Sequence, residues 1–438
     1  MVTPLKVGLA GLGTVGASVV RLITQQSTAL TQRCGRPIEI IAVTARSRGK
    51  NRGIDLKSLR WAADPLKLAT DPEIDVFVEL IGGAGDPARS AVAAALKAGK
   101  SVVTANKALL AAHGIELATA AEKQNVALNF EAAAAGAIPI VKTLREGLSG
   151  NSIQRVYGIL NGTCNYILTR MEREKLTFAE CLKEAQRLGY AEADPSFDVD
   201  GHDTAQKLSI LASLTFGIRV DPKSIYVEGI SSIAPADLEA AEELGYRVKL
   251  LGVAVKTDKG IEQRVHPTFV RKDSAIAQVM GVTNAVTVDA DGIAPITLVG
   301  PGAGGMATAS AVVADIADIA RGAHVAPFGR SVAKLSTSKK APMQRHEGGY
   351  YIRLLAVDKP GTAATIAKRM AQQQISMESI VQRHREPEAG APGQGKGAVP
   401  VILITYATAE DAVRKALAAV KRDKVISGEP QLIRIEKN

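Results

Sequence analysis

Along the first hundred residues, short apolar runs alternate with amphipathic or alanine-rich stretches. Leu5–Leu9, Ile38–Val43 and Val76–Leu80 read as buried strands, and Val102–Val103 begin a fourth. Ala17–Thr24 and Ala88–Ala98 between them read as helices. This alternation predicts an α/β unit with a parallel, doubly wound sheet. From about Ala135 the pattern changes. Strand Ile153–Leu160, helices Cys164–Arg173 and Phe178–Leu188, and strand-like runs Val248–Val255 and Val265–Val270 predict a mixed α+β second unit. Pro301-Gly-Ala-Gly-Gly305 then opens an alanine-rich helix, Ala307–Arg321, expected to pack back on the first sheet. Phe328–Gly349, carrying Ser, Lys and Gly, reads as a linker. The remainder reads as strand Tyr351–Val357, turn Asp358–Gly361, helix Thr362–Gln373 and strand Ser376–Gln382, followed by a loop Glu388–Gly397. Strand Val399–Ala407, helix Ala409–Lys421 and strand Gln431–Ile435 complete a βαββαβ order, which predicts a small sheet with helices on one face. The expected domains are residues 1–134, 135–327 (catalysis and dimerisation), a linker 328–349, and 350–438.

Composition narrows the class. At about 150 residues per domain, 438 residues suggest about three units. Hydrophobic residues at 46% and charged residues at 22% argue against a disordered chain. Apolar stretches such as Leu128–Val141 are broken by Asn129 and Glu131, so no membrane span of about 20 apolar residues is expected. Met1 runs almost directly into a strand, which leaves no room for a signal peptide. Cys34, Cys164 and Cys181 are odd in number and widely spaced, against a disulfide framework or zinc knuckle. A soluble, cytoplasmic protein is expected. The net charge of +10 raises nucleic acid, but aromatics are 4% and no Lys/Arg block is interleaved with Tyr or Phe. A basic excess also suits anionic small molecules such as nucleotide phosphates.

Gly11-Leu12-Gly13-Thr14-Val15-Gly16 supplies the first chemistry. G-x-G-x-x-G is weak alone; following a strand and opening a helix, it marks a dinucleotide site. Gly11 permits the tight turn, Gly13 lets a pyrophosphate approach the backbone, and Gly16 lets the helix close on the sheet. The helix N-terminus offers free N–H groups to the phosphates. The second strand ends Val43-Thr-Ala-Arg46, with Arg48 and Lys50 behind and no carboxylate to take ribose hydroxyls. Either Arg46 pairs with a 2′-phosphate, or this is a solvated basic loop. NADP(H) is favoured, with NAD(H) left open.

The second concentration of chemistry is Glu192 to Lys207, with Asp194, Asp198, Asp200, His202 and Asp203 between. A helix starting near Gly201–Asp203 puts Asp203 and Lys207 at i and i+4 on one face. A surface ion pair is the simpler account, worth under about 1 kcal/mol. The apolar run Leu208–Phe216 argues instead for a buried helix, and carboxylates entering one are costly unless they serve a ligand such as a substrate ammonium.

Gly11–Gly16, Thr104-Ala-Asn-Lys107, Asn161-Gly-Thr-Cys-Asn165, Glu192 to Lys207 and Pro301–Gly305 together resemble the homoserine dehydrogenases in order and spacing. The C-terminal segment with Asp358-Lys-Pro-Gly361 resembles an ACT domain, an amino-acid-sensing module, and the whole resembles the monofunctional form rather than an aspartokinase fusion. The resemblance implies reversible NAD(P)-linked reduction of aspartate 4-semialdehyde to homoserine, en route to threonine, methionine and isoleucine. It implies that Lys207 protonates the aldehyde oxygen and that Lys107 is a second active-site lysine near nicotinamide and substrate. Glu192 and Asp203, with Asp198 beside them, are implied to bind the substrate amino group or orient the lysine. Thr104, Gly162 and Gly302 are implied cofactor contacts. Glu131, Ala134, Gly136 and Ile138 resemble a sodium loop with mostly backbone ligands; Ala134 stands where the family often has Val. Two converging lysines would each lower the other's pKa.

Other features keep simpler readings. Cys164 could suggest a thiol nucleophile, but no His pairs with it locally, so it reads as a small buried residue. His202 reads as a helix-start residue, and the histidines show no metal spacing. A related enzyme for another amino-acid aldehyde, and a non-catalytic sensor, are the alternatives; the intact Lys107, Glu192, Asp203 and Lys207 set argues against the sensor. Threonine is the expected effector near Asp358–Gly361, and removal of residues after about Gly348 is expected to abolish its effect and spare catalysis. Sheet edges predict a homodimer or homotetramer.

Overall fold

The structure is a computed structural model that describes residues 2–337, 346–382 and 398–436. Six parallel strands form the N-terminal sheet: β1 (Leu5–Ala10), β2 (Ile38–Thr44), β3 (Arg60–Trp61), β4 (Val76–Glu79), β5 (Ser101–Thr104) and β6 (Leu128–Asn129). Their order is β3-β2-β1-β4-β5-β6, with the reversal between β1 and β4. Such a reversal opens a crevice beyond the carboxyl ends of the strands, where ligands of parallel sheets bind. The central strands β1, β4 and β5 are mostly apolar and buried, as in parallel sheets covered on both faces. One covering helix, Gly305–Ala320, comes from far along the chain. Its Val312 and Ile316 join Leu5, Val7, Leu9, Val19 and Ile23 in one core. The expected return of this alanine-rich helix to the first sheet is what the structure has.

The second sheet is mixed. It contains β7 (Ile153–Ile159), β8 (Tyr226–Val227), β9 (Tyr246–Thr257), β10 (Gly260–Arg271), β11 (Thr283–Ala290) and β12 (Ile296–Pro301). Helices Gly162–Glu174, His202–Phe216 and Pro235–Glu243 pack on β9. The βαββαβ order follows as β13 (Glu347–Val357), helix Thr362–Gln372, β14 (Met377–Gln382), β15 (Ala398–Thr405), helix Glu410–Arg422 and β17 (Ile426–Ile435), with a short β16 (Thr408–Ala409) on β13. The loop expected at Glu388–Gly397 lies outside the described residues.

Three expectations change. The C-terminal strands do not form a sheet of their own: the order runs β12-β11-β7-β9-β10-β17-β13-β15-β14 in one sheet. β17 lies parallel to β10, pairing Arg434 with Thr268 and Ile435 with Phe269, and Tyr351 stacks on Phe269 with ring centroids 4.7 Å apart. This satisfies backbone groups that an edge strand β10 would leave open. β17 also starts earlier than Gln431, at Ile426: between the pairs Arg353–Gln431 and Leu355–Ser427 it carries extra residues, Gly428 to Pro430, that bulge out of register. The linker, too, is partly packed. Phe328 is buried against Phe130, and the Glu122 carboxylate accepts from Ser331 Oγ and Val332 N. Among the described residues no helix is long and apolar enough to cross a membrane.

Candidate active site

The glycine loop joins β1 to the helix Thr14–Gln25. Gly11 has φ +102°, and a Cβ there would lie 2.4 Å from the Leu80 carbonyl oxygen; one at Gly16 would lie 2.0 Å from the Gly11 carbonyl oxygen. Both glycines are demanded by close approach. Gly13 differs: it caps the helix with no side-chain hydrogen bond, and nothing lies within 4 Å of where its Cβ would be. Leu12 and Gly16 face inward, while Gly13 and Thr14 are exposed and Val15 is half-buried. An open helix N-terminus with free N–H groups fits a pyrophosphate.

Arg46 is exposed just beyond β2. Arg52, absent from the sequence-based expectation, reaches back so that its Nε donates to the Leu12 carbonyl at 2.9 Å. Arg48 and Arg52 lie 5.5 Å and 5.8 Å from the Trp61 ring centroid. The rim of the loop is thus basic.

Thr104 ends β5, and its hydroxyl donates to the buried Glu79 carboxylate at 2.6 Å. Glu79 also accepts from Ile81 N and Gly82 N. Asn106 then caps the helix Lys107–Gln124 by accepting from Leu109 N, so Lys107 is that helix's first residue. Asn161 caps the helix Gly162–Glu174 by accepting from Cys164 N, while its Nδ2 donates to Asp198 (2.8 Å) and Asp203 (3.0 Å). Gly201, in the left-handed region, opens the helix His202–Phe216.

These helix starts converge on Asp203, which is 4% exposed. Lys107 Nζ lies 3.2 Å from Oδ1 and Lys207 Nζ 2.7 Å from Oδ2, and Lys207 also donates to the Leu160 carbonyl at 2.7 Å. Burial alone would push the Asp203 carboxyl up; the lysine charges, Lys207 first, outweigh it and hold it at about 2. Burial, then the Asp203 charge, raises the Asp198 carboxyl. The mutual repulsion expected of the lysines therefore has a carboxylate set between them.

The same geometry sorts the acids of the Glu192–Lys207 segment by burial. Glu192, Asp194 and Asp200 are exposed and cost nothing to solvate, and Glu192 meets none of the lysine–aspartate cluster. Asp203 is satisfied by two lysines and Asn161, so no substrate ammonium is needed to explain its burial. Cys164 is fully buried, with its thiol donating to the Asp198 carbonyl, and burial pushes its pKa well up. His202 is exposed at the helix start. Both simpler readings stand.

Known proteins follow the same lines. A family profile described as "Homoserine dehydrogenase" matches residues 139–317, and one described as "Homoserine dehydrogenase, NAD binding domain" matches residues 11–131. The chain is 43% identical to a homoserine dehydrogenase of Neisseria gonorrhoeae, over 99% of both chains. The crystal structure of a homoserine dehydrogenase from Thiobacillus denitrificans matches with TM-score 0.92 and 42% identity, over 99% of both chains. The chain belongs to the homoserine dehydrogenase family. It is an NAD(P)-dependent oxidoreductase with an NAD(P)-binding Rossmann-like domain. A hyperthermophilic archaeal homoserine dehydrogenase in complex with NADPH matches with TM-score 0.62 and 28% identity, over 72% of this chain and 97% of that one.

The two glycines expected from the sequence to contact the cofactor, Gly162 and Gly302, meet at one side chain. Gly302 lies against the Asn284 amide, and Gly162 is next to Asn284 Oδ1, a buried oxygen with no hydrogen-bond partner among the described residues. Nothing in the sequence pointed to Asn284 or Glu79, since single polar residues in apolar runs carry no spacing signal, and the motif Asn161–Asn165 gave no role to Asn161 itself.

Glu131 is buried, with Oε1 accepting from Val141 N and Oε2 from Lys142 N at 2.8 and 2.9 Å. Burial, then Asp315, raises its carboxyl to about 7. Ala134 lies in the short helix Ala132–Ala135, Gly136 follows it, and the Ile138 carbonyl accepts from Ile140 N. Each Glu131 oxygen thus accepts one backbone N–H and keeps a lone pair, and the other expected ligands of this loop are backbone carbonyls. Among the described residues no cluster of three or more His, Cys, Asp or Glu could hold a metal ion.

Proposed function

We propose that the chain reduces L-aspartate 4-semialdehyde reversibly to L-homoserine with NADPH, a step toward threonine, methionine and isoleucine, with Lys207 as proton donor. The observation that carries the reading is one buried carboxylate, Asp203, shared by two lysines. Negative charge builds on the aldehyde oxygen as the carbon is reduced, and an adjacent ammonium stabilises it and gives up a proton. Lys207 spends two of its three donors on Asp203 and Leu160, leaving the third for that oxygen. Lys107, at the carboxyl end of β5, holds the substrate from the nicotinamide side. Asp198 and the outlying Glu192 take its ammonium group. The bound nicotinamide supplies the hydride. In reverse, Lys207 receives the hydroxyl proton of homoserine.

Several finer readings go with it. The basic rim of Arg46, Arg48 and Arg52 supports NADP(H) over NAD(H), as does the archaeal relative complexed with NADPH. A monovalent cation such as sodium would sit in the loop of Glu131, Ala134, Gly136 and Ile138, held mostly by backbone carbonyls. The βαββαβ order supports an ACT domain over 350–438 beside domains 1–134 and 135–327, with threonine as a feedback inhibitor near Asp358–Gly361. Edge strands β12 and β14 expose Val299 and Ile380, which supports a homodimer or homotetramer. The place of action is the cytoplasm.

The test follows NADPH absorbance with aspartate semialdehyde, repeated with NADH and with threonine, for wild type and Lys207→Ala. Turnover should fall by about 10²- to 10⁴-fold in the variant, the usual worth of a placed acid, while NADPH binding stays near wild type. A variant running near the wild-type rate would remove Lys207 as proton donor.

A further inference from the structure

The segment Tyr226–Ile230 touches neither lysine, yet it underlies the turn from which the site's acids project. Glu228 N donates to the Val265 carbonyl of β10, and Ile230 N donates to the Val199 carbonyl at 2.9 Å, one residue past Asp198. The contact leaves no slack. A Cβ at Gly229 would lie 2.3 Å from the Val199 carbonyl oxygen and 2.6 Å from Asp200 Cα. One at Gly201 would lie 3.1 Å from Val227 Cγ1. Close-packed backbone transmits displacement rather than absorbing it.

The C-terminal unit grips this segment through two side chains, Glu228 and Tyr226, whose hydroxyl accepts from Arg414 Nη2 at 2.8 Å. The Glu228 carboxylate accepts from Arg434 Nη1 at 2.6 Å and from Arg414 Nη2 at 3.1 Å. Arg434, on β17, is 1% exposed and also forked on Glu410, with Nε at 2.8 Å and Nη2 at 2.7 Å. Its guanidinium lies 5.1 Å from the Tyr226 ring centroid. Two guanidiniums and two carboxylates balance in charge, which makes the burial of Arg434 and Glu410 sustainable. The planar fork of Arg434 leaves Glu228 little choice of position.

We propose that Glu228 is a positioning residue for the dehydrogenase reaction: clamped by Arg434 and Arg414, it fixes Tyr226–Ile230 beneath the 198–203 turn and so sets where Asp203 and Lys207 meet the substrate. The inference rests on the roles proposed above for those two residues. It gives the C-terminal unit a five-residue path to the substrate that does not cross the N-terminal sheet.

Glu228→Gln tests it, because the change keeps the side chain's shape and leaves Arg434 forked on Glu410. KM for aspartate semialdehyde should rise by up to about tenfold, the worth of one lost charge-assisted hydrogen bond. The fall in kcat should be smaller, with NADPH affinity and thermal midpoint near wild type. If Glu228→Gln does not fold, Arg414→Gln loosens the same clamp from its solvent side and should move KM the same way by less. A wild-type KM, or a loss of kcat in step with folded protein at unchanged KM, overturns the proposal. Lys207→Ala run in parallel separates the failures: an active Lys207→Ala sinks the reading beneath, whereas a dead one with an unmoved Glu228→Gln sinks only the positioning role.

Discussion

At the residue scale the site depends on Asp203 remaining ionised between two ammonium groups. Its folded pKa, about 2, lies below the ordinary value of about 3.9. The native state therefore binds fewer protons in that window, and the stabilisation is complete above it and lost as pH falls through about 2. Near neutrality Asp203 does not titrate, so an acid limb of activity there belongs to another group. Asp203→Asn removes the charge that keeps Lys107 and Lys207 compatible. The rate should fall by about 10²-fold, the scale of one removed electrostatic group. A variant running near the wild-type rate would mean that Asp203 does not serve the lysines.

At the element scale, what was legible in the sequence was what has a period or a fixed spacing. The strand–helix alternation, Gly11–Gly16 and the i, i+4 pair Asp203–Lys207 are all local patterns. The joining of β17 to β10 was not legible, because it pairs residues far apart in sequence through only two registered positions. The burial of Glu79 and Asn161 was hidden for a like reason: their partners come from other elements. Lys249 is a further case, a lysine in the middle of β9 that is 1% exposed. Its ammonium donates to Asn165 Oδ1 and the Val279 carbonyl, tying helix Gly162–Glu174 to the loop before β11. Burial pushes its pKa down to about 7. Its unfolded value is about 10.4, so between the two the unfolded state binds more protons and stability rises with pH. Lys249→Met removes that dependence. The difference in thermal midpoint, variant minus wild type, should shrink steadily from about pH 7 to about pH 10. Parallel curves would refute the assignment.

At the scale of the whole molecule, the continuous second sheet changes what a truncation would do. Residues after Gly348 supply more than a detachable sensor. Asp237, fully buried at the start of helix Pro235–Glu243, accepts from Tyr351 Oη at 3.0 Å and from Arg353 Nε and Nη2 at 2.7 and 3.0 Å. Cutting there strips Asp237 of its counter-charge, exposes Phe269 and opens the β10 edge. Leaving a buried charge unpaired costs about 3–5 kcal/mol, a large part of the about 5–15 kcal/mol that holds a domain together. The truncated chain should therefore lose stability and activity together, against the expectation that catalysis is spared. A substitution separates the charge from the rest of the segment. Arg353→Met alone should destabilise by about 3–5 kcal/mol in denaturant titration, and Arg353→Met with Asp237→Leu should recover most of that, since apolar replacement of a buried pair is often neutral. If the truncated chain keeps the wild-type thermal midpoint and rate, the C-terminal unit is an appendage after all, and the sheet that joins it to β10 carries no weight in the catalytic fold.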